Sequence, residues 1–143
     1  MHTRITDLLK PRTWRAARAF LKAVSAYHKG DYEAALVHFD QSMSLDVLRT
    51  DEHMAFRTVL LVLTHRPPQE RMDIYKRIIA GEFRPGRKAS EYARAYANYF
   101  LGYSIGRQDV VTLWSQAYAL KPIEGFAARY LPLPKSPILS SPA

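Results

Sequence analysis

Few residues in this chain are placed where they could react. The five histidines, His2, His28, His38, His53 and His65, are scattered. No two stand four residues apart, the spacing that would aim two imidazoles from one helix face at a metal ion. Cysteine is absent, so thiolate ligands and disulfides are excluded. Gly81-Glu82-Phe83-Arg84-Pro85-Gly86 has two glycines but lacks the Lys-Ser/Thr pair and helix opening of a phosphate-cradling loop. Catalysis by a serine needs a histidine and a carboxylate to converge on it. No local motif marks such a serine, and His38 near Asp40 reads as a surface pair on a helix. The chain is expected to be no enzyme and to hold no metal and no cofactor; catalysis would need residues converging from separate helices.

Residues suited to recognition are placed more regularly. Tyr92, Tyr96, Tyr99 and Tyr103 recur at spacings of four, three and four, which puts them on one helix face. Tyrosines so placed can pack while their hydroxyls reach water or a partner. They can also form a recognition surface or stack on nucleic-acid bases. Arg15, Arg18 and Lys22, with Arg12 nearby, make a basic stripe. It reads either as a solvated helix face or, together with Arg84, Arg87 and Lys88, as a footprint for an acidic partner or for phosphates. Interleaved Trp14 would suit contact with a membrane surface, but is expected to pack against the neighbouring helix.

Helices must position these residues. Trp14, Ala17, Phe20, Leu21, Val24 and Tyr27 share one side of a helix over 12–29, opposite Arg15, Arg18, Lys22 and Lys29. Gly30 ends it and Asp31 is placed to cap a second helix over 32–45, so the two fold back antiparallel. Thr50 is placed to cap a third, with Asp51 and Glu52 in its first turn, and His65-Arg66-Pro67-Pro68 breaks it. Further helices are predicted over 69–80, 89–104 and 108–120, with a short last one through Phe126 and Tyr130. The Pro-rich end after Leu131 is expected to be extended and mobile. The fold class is all-α: three hairpins and a C-terminal capping helix within 11–131, after a lead over 1–10 and before a tail over 132–143.

The balance of 21 Lys and Arg against 13 Asp and Glu gives a net charge of +8. Such charge favours acidic proteins, nucleic acid or anionic lipid by long-range attraction. The longest apolar run, Val59-Leu60-Leu61-Val62-Leu63, is far short of the ~18 residues that suggest a membrane span. Residues 1–22 are basic like an organellar presequence, but Pro11 divides them and no signal-type apolar core follows. A cytoplasmic protein is therefore expected.

The pattern Gly30-Asp31-Tyr32-x-x-Ala35-Leu36-x-x-Phe39-x-x-Ser42-x-x-Leu45-Asp46 resembles the turn and second helix of a tetratricopeptide (TPR) repeat. Residues 16–46 match best and about 89–122 more loosely, with Gly106, Trp114, Ala117, Leu120 and Pro122 in place. The middle hairpin, about 50–85, lacks the family's turn glycine. The resemblance implies antiparallel hairpins stacked as a short right-handed superhelix. It also implies a peptide groove along the first helix of each pair. Phe20, Val24, Tyr27, Tyr96, Phe100 and Tyr103 are then the partner-binding residues, and Arg12, Arg15, Arg18, Lys22, Arg87 and Lys88 the basic patch. The family's carboxylate-clamp positions are apolar or aromatic here, which argues against a C-terminal carboxylate ligand. The expected function is a protein-binding adaptor, scaffold or chaperone-type module, unless the C-terminal helix fills the groove itself. The alternatives are a nucleic-acid or anionic-surface binder and a self-assembling homo-oligomer.

Overall fold

The computed structural model of the protein describes residues 11–45, 50–84 and 90–138. Among them are seven α-helices and no strand, the all-α class read from the periodicity. The chain divides into two compact units, Met1–Arg49 and Thr50–Ala143. The lead over 1–10 lies outside the described residues.

The first unit is a hairpin of α1 (Pro11–His28) and α2 (Tyr32–Ser44). Pro11 opens α1 where its missing N–H is no loss. Asp31 caps α2, its carboxylate accepting from the Ala34 N–H at 3.2 Å. Ala16 and Ala23 of α1 and Ala35 and Phe39 of α2 are fully buried. These small side chains let the two backbones approach closely around the Phe39 ring.

The second unit contains α3 (Asp51–Leu63), α4 (Pro68–Ile79), α5 (Ser90–Ser104), α6 (Val110–Ala119) and α7 (Phe126–Tyr130). Here α3 packs on α4, α4 on α5 and α5 on α6, and α3 also touches α5 and α7. The core gathers Phe56, Leu60, Ile78, Tyr92, Tyr99 and Leu131. Thr50 caps α3 as expected, accepting from the His53 N–H at 3.2 Å. Ser90 donates to Asp51 Oδ2 at 2.6 Å and so ties the start of α5 to the start of α3. Gly102 lies where α5 meets α6: a Cβ there would come within 2.6 Å of Leu113 Cδ1.

Four helices end in one way. The second residue after each end lies in the left-handed region: Gly30 at φ 79°, His65 at 57°, Gly81 at 73° and Gly106 at 73°. The next N–H then reaches back to a carbonyl of the last turn: Asp31 to Ala26 at 2.9 Å, Arg66 to Leu61 at 2.9 Å, Glu82 to Arg77 at 3.0 Å and Arg107 to Gly102 at 2.9 Å. This is the Schellman arrangement, which satisfies helix-end carbonyls and reverses the chain. The middle hairpin, read as lacking its turn glycine, has the same turn with His65 in that place.

The segment after α7 differs from expectation. It is extended and free of helix, yet docked through Ile138, with Leu131 and Leu133 buried. Proline excludes helix here but does not prevent packing, and two leucines two positions apart put both side chains on the same face of an extended backbone.

A left-handed backbone costs an L-residue about 1–2 kcal/mol, of which the greater unfolded freedom of glycine returns about 0.5–1 kcal/mol. Exposed His65 makes the test clean. His65→Gly should raise unfolding stability by about 0.5–1 kcal/mol in urea titrations, with the slope unchanged.

Candidate functional site

In the first unit, α1 has Arg12, Arg15, Arg18 and Lys22 and no acidic residue over its 18 positions. Its hairpin face is Ala16, Phe20, Ala23 and Tyr27. Phe20 lies 6.1 Å from the Phe39 ring and Tyr27 5.8 Å from the Tyr32 ring. Two of the expected partner-binding residues, Phe20 and Tyr27, are therefore turned toward α2 and are half-buried, as is Val24.

A second apolar strip, Trp14, Ala17 and Leu21, faces solvent. Trp14 is 60% exposed and Leu21 66%. This corrects the expectation that Trp14 packs against the neighbouring helix. One helix cannot turn all six apolar positions to one neighbour, because Phe20 and Tyr27 lie about a quarter-turn or more from Trp14 and Leu21 at 3.6 residues per turn. The strip borders a shallow depression of about 290 Å³ formed with Thr13 and Arg18. The Arg18 guanidinium lies 5.9 Å from the centre of the Trp14 ring, within cation–π range.

Arg15, Arg18 and Lys22 run beside that strip, all exposed, and make no ion pair among the described residues. Arg12 has a different role. Its Nε donates to the Leu45 carbonyl at 2.9 Å, placing a cation at the negative C-terminal end of α2. Arg87 and Lys88 lie outside the described residues.

In the second unit the tyrosine stripe is core. Tyr92, Tyr96 and Tyr99 are buried and Tyr103 is half-buried. Tyr96, 4% exposed, lies 4.6 Å from the Phe100 ring and 6.0 Å from the Tyr92 ring. Its place as a contact for a partner is corrected: α4 and α6 flank α5, so the α5 face that sequence leaves open is covered. Phe100 stacks on Tyr75 at 6.4 Å. Tyr103 lines a cleft of about 300 Å³ with Arg107, Val110, Val111 and Ile138.

The buried hydroxyls meet the C-terminal strap, 131–138. Tyr92 donates to the Leu131 carbonyl. The Trp114 indole donates to the Pro134 carbonyl at 2.8 Å. Tyr99 accepts from the Ile138 N–H at 3.0 Å. Burial pushes the Tyr92 phenol well above its ordinary value, because the ionised form would lose its water. Sequence reasoning gave Trp114 a repeat position but not its bond to the strap, and missed the docking of Leu131 and Leu133. The one available signal was the alternation of Leu131 and Leu133 between prolines, a period-two pattern.

The polar groups at the start of α3 serve its cap. Thr50 Oγ1 and His53 Nδ1 are 2.7 Å apart, and His53 packs edge-on against Phe126 at 4.9 Å. Glu52 is raised above the usual carboxylate range, first by burial and then by the neighbouring Asp51 carboxylate. Phe126 and Tyr130 of α7 lie 5.7 and 5.3 Å from the Phe56 ring, so the C-terminal helix docks on α3. Among the described residues no three acidic or histidine side chains are grouped to hold a metal, and no helix is long and apolar enough to cross a membrane.

Compared with protein-family models, curated proteins and solved structures, the chain finds no match.

The raised Tyr92 pKa has a defined sign. The unfolded phenol ionises near pH 10 while the folded one stays protonated, so above that pH the unfolded state binds fewer protons and stability falls. Below pH 10 this contribution is fully present. Urea midpoints measured from pH 8 to 11 should be flat at first, then drop by up to about 1.4 kcal/mol per pH unit. Tyr92→Phe should remove that part of the drop and lower stability at pH 8 by about 1–3 kcal/mol, through the unpaired Leu131 carbonyl.

Proposed function

We propose that the protein is a non-catalytic, TPR-like helical module that binds an acidic, amphipathic segment of a partner protein on the outer face of α1. The observation that carries this reading is the pairing of two strips on one exposed helix face. Trp14, Ala17 and Leu21 offer an apolar seat, and Arg15, Arg18 and Lys22 run beside it without acidic neighbours on the helix. A helix laid against such a face buries its apolar residues on the first strip. Its acidic flank is then drawn to the second, which speeds encounter and fixes orientation. The turn shared by Gly30, His65 and Gly106 supports the repeat-type reading of the fold, and the lack of cysteine suits a cytoplasmic setting.

A phosphate-bearing partner, nucleic acid or an anionic surface, is the second reading, supported by the basic strip alone. The two differ in what they ask of Leu21. Burying a leucine is worth about 1.5–3 kcal/mol, or about tenfold or more in affinity. Anisotropy titrations with a labelled acidic helical peptide, Leu at every third or fourth position and Glu beside it, should therefore weaken about tenfold or more for Leu21→Ser. The same change should leave affinity for single-stranded RNA unaltered. Arg15→Ala with Lys22→Ala should flatten the salt dependence of peptide binding. Peptide affinity indifferent to Leu21→Ser removes the protein-partner reading.

A further inference from the structure

Beyond the Leu131 N–H, the strap at 131–138 is held in a manner that does not depend on its being part of this chain. The Leu131 N–H caps α7 on the Ala127 carbonyl at 3.0 Å; the other three polar contacts among the described residues are made between side chains of α5 and α6 and strap backbone: Tyr92 to the Leu131 carbonyl, Trp114 to the Pro134 carbonyl and Tyr99 to the Ile138 N–H. None of these reads a strap side chain. Leu131 and Leu133 fill buried sockets, while Pro132, Lys135 and Ser136 face solvent. Pro132, Pro134 and Pro137 restrict φ and remove N–H groups. The strap thus reaches its seat with little conformational freedom to lose, and its carbonyls have no helix or sheet partner. Preformed, extended, Pro-rich segments are recognised between chains by the same means: aromatic donors to carbonyls and sockets for alternate side chains.

We propose that the α5–α6 surface is a recognition groove for an extended Leu-x-Leu-Pro segment of another protein, and that residues 131–138 are its resident competitor. The tethered strap acts at an effective concentration in the millimolar range, so an identical strap from a second copy gains nothing over it. A partner segment must bind better. The cleft of about 300 Å³ beside Ile138, walled by Tyr103, Arg107, Val110 and Val111, supplies the means. An aromatic residue at the position of Ile138 has room to enter it and Tyr103 to pack against. The occupant is accordingly Leu-x-Leu-Pro followed, four residues after the proline, by a large aromatic.

The experiment titrates fluorescein-labelled LPLPKSPI, and the same peptide with Phe in its last place, into the full chain. Leu133→Asp drives the resident strap from its socket. It should bind the first peptide about tenfold or more tighter than the unaltered chain does, by removal of the tethered competitor. The Phe-ended peptide should bind tighter still. Adding Trp114→Phe should weaken both about fivefold or more. Leu133→Ala should give an intermediate gain, and is the deciding variant if circular dichroism shows that Leu133→Asp has lost its helices. The proposal is overturned if a strap-released variant that keeps its helices binds neither peptide, or binds them equally with and without the Trp114 indole. A light-scattering mass of a dimer that captures no peptide overturns it in favour of strap exchange between copies.

Discussion

The left-handed residue after a helix is the constraint on which the architecture rests. A helix leaves its last carbonyls without intrahelical partners, and each amphipathic helix here leaves an apolar stripe that water disfavours. One residue at positive φ answers both needs: it returns the next N–H to the orphaned carbonyls and reverses the chain so that the stripe meets its neighbour. Gly30, His65, Gly81 and Gly106 repeat this solution after α1, α3, α4 and α5. That an imidazole-bearing residue occupies one of the four shows that the backbone conformation, rather than glycine itself, is what the hairpins require.

Within the second unit, the helices carry more tyrosine than an apolar core can accept without partners. A buried phenol hydroxyl needs a hydrogen bond, and α5 buries three tyrosines among its neighbours. The strap supplies partners for two of them, Tyr92 and Tyr99. Its prolines give an extended backbone with free carbonyls, and Tyr92 and Trp114 have the donors for them. The mutual dependence explains why a Pro-rich segment is docked.

The first unit faces the opposite situation. Its hairpin is closed by one side of α1, where Ala16 and Ala23 are fully buried beside Phe20, against Ala35, Leu36, Phe39 and Met43 of α2, which leaves the rest of α1 exposed. The free part is neither uniformly polar nor uniformly apolar: Trp14 and Leu21 stand beside Arg15, Arg18 and Lys22. An exposed apolar strip bordered by cations is the feature on which the proposed recognition of an acidic, amphipathic segment rests. The groove that the TPR resemblance implied is not lined by these residues, since Tyr96 is sealed in the core and Phe20 and Tyr27 are turned toward α2.

Local chemistry in the chain was enough to place the helices. Apolar spacing, Asp31 and Thr50 as caps, and the Gly and Pro breaks mark their bounds, because each acts within a turn or two of itself. It was enough, too, to show that α1 is basic. It could not say which side of α1 would meet α2, because Trp14, Leu21, Phe20 and Tyr27 are equally apolar and only the partner helix chooses among them. Nor could it reveal that Arg12 serves the end of α2, that the stripe on α5 is roofed by α4 and α6, or that the tail returns to dock. Those facts depend on residues 33 and 39 positions apart in the chain, and proximity at that range is decided by tertiary packing alone.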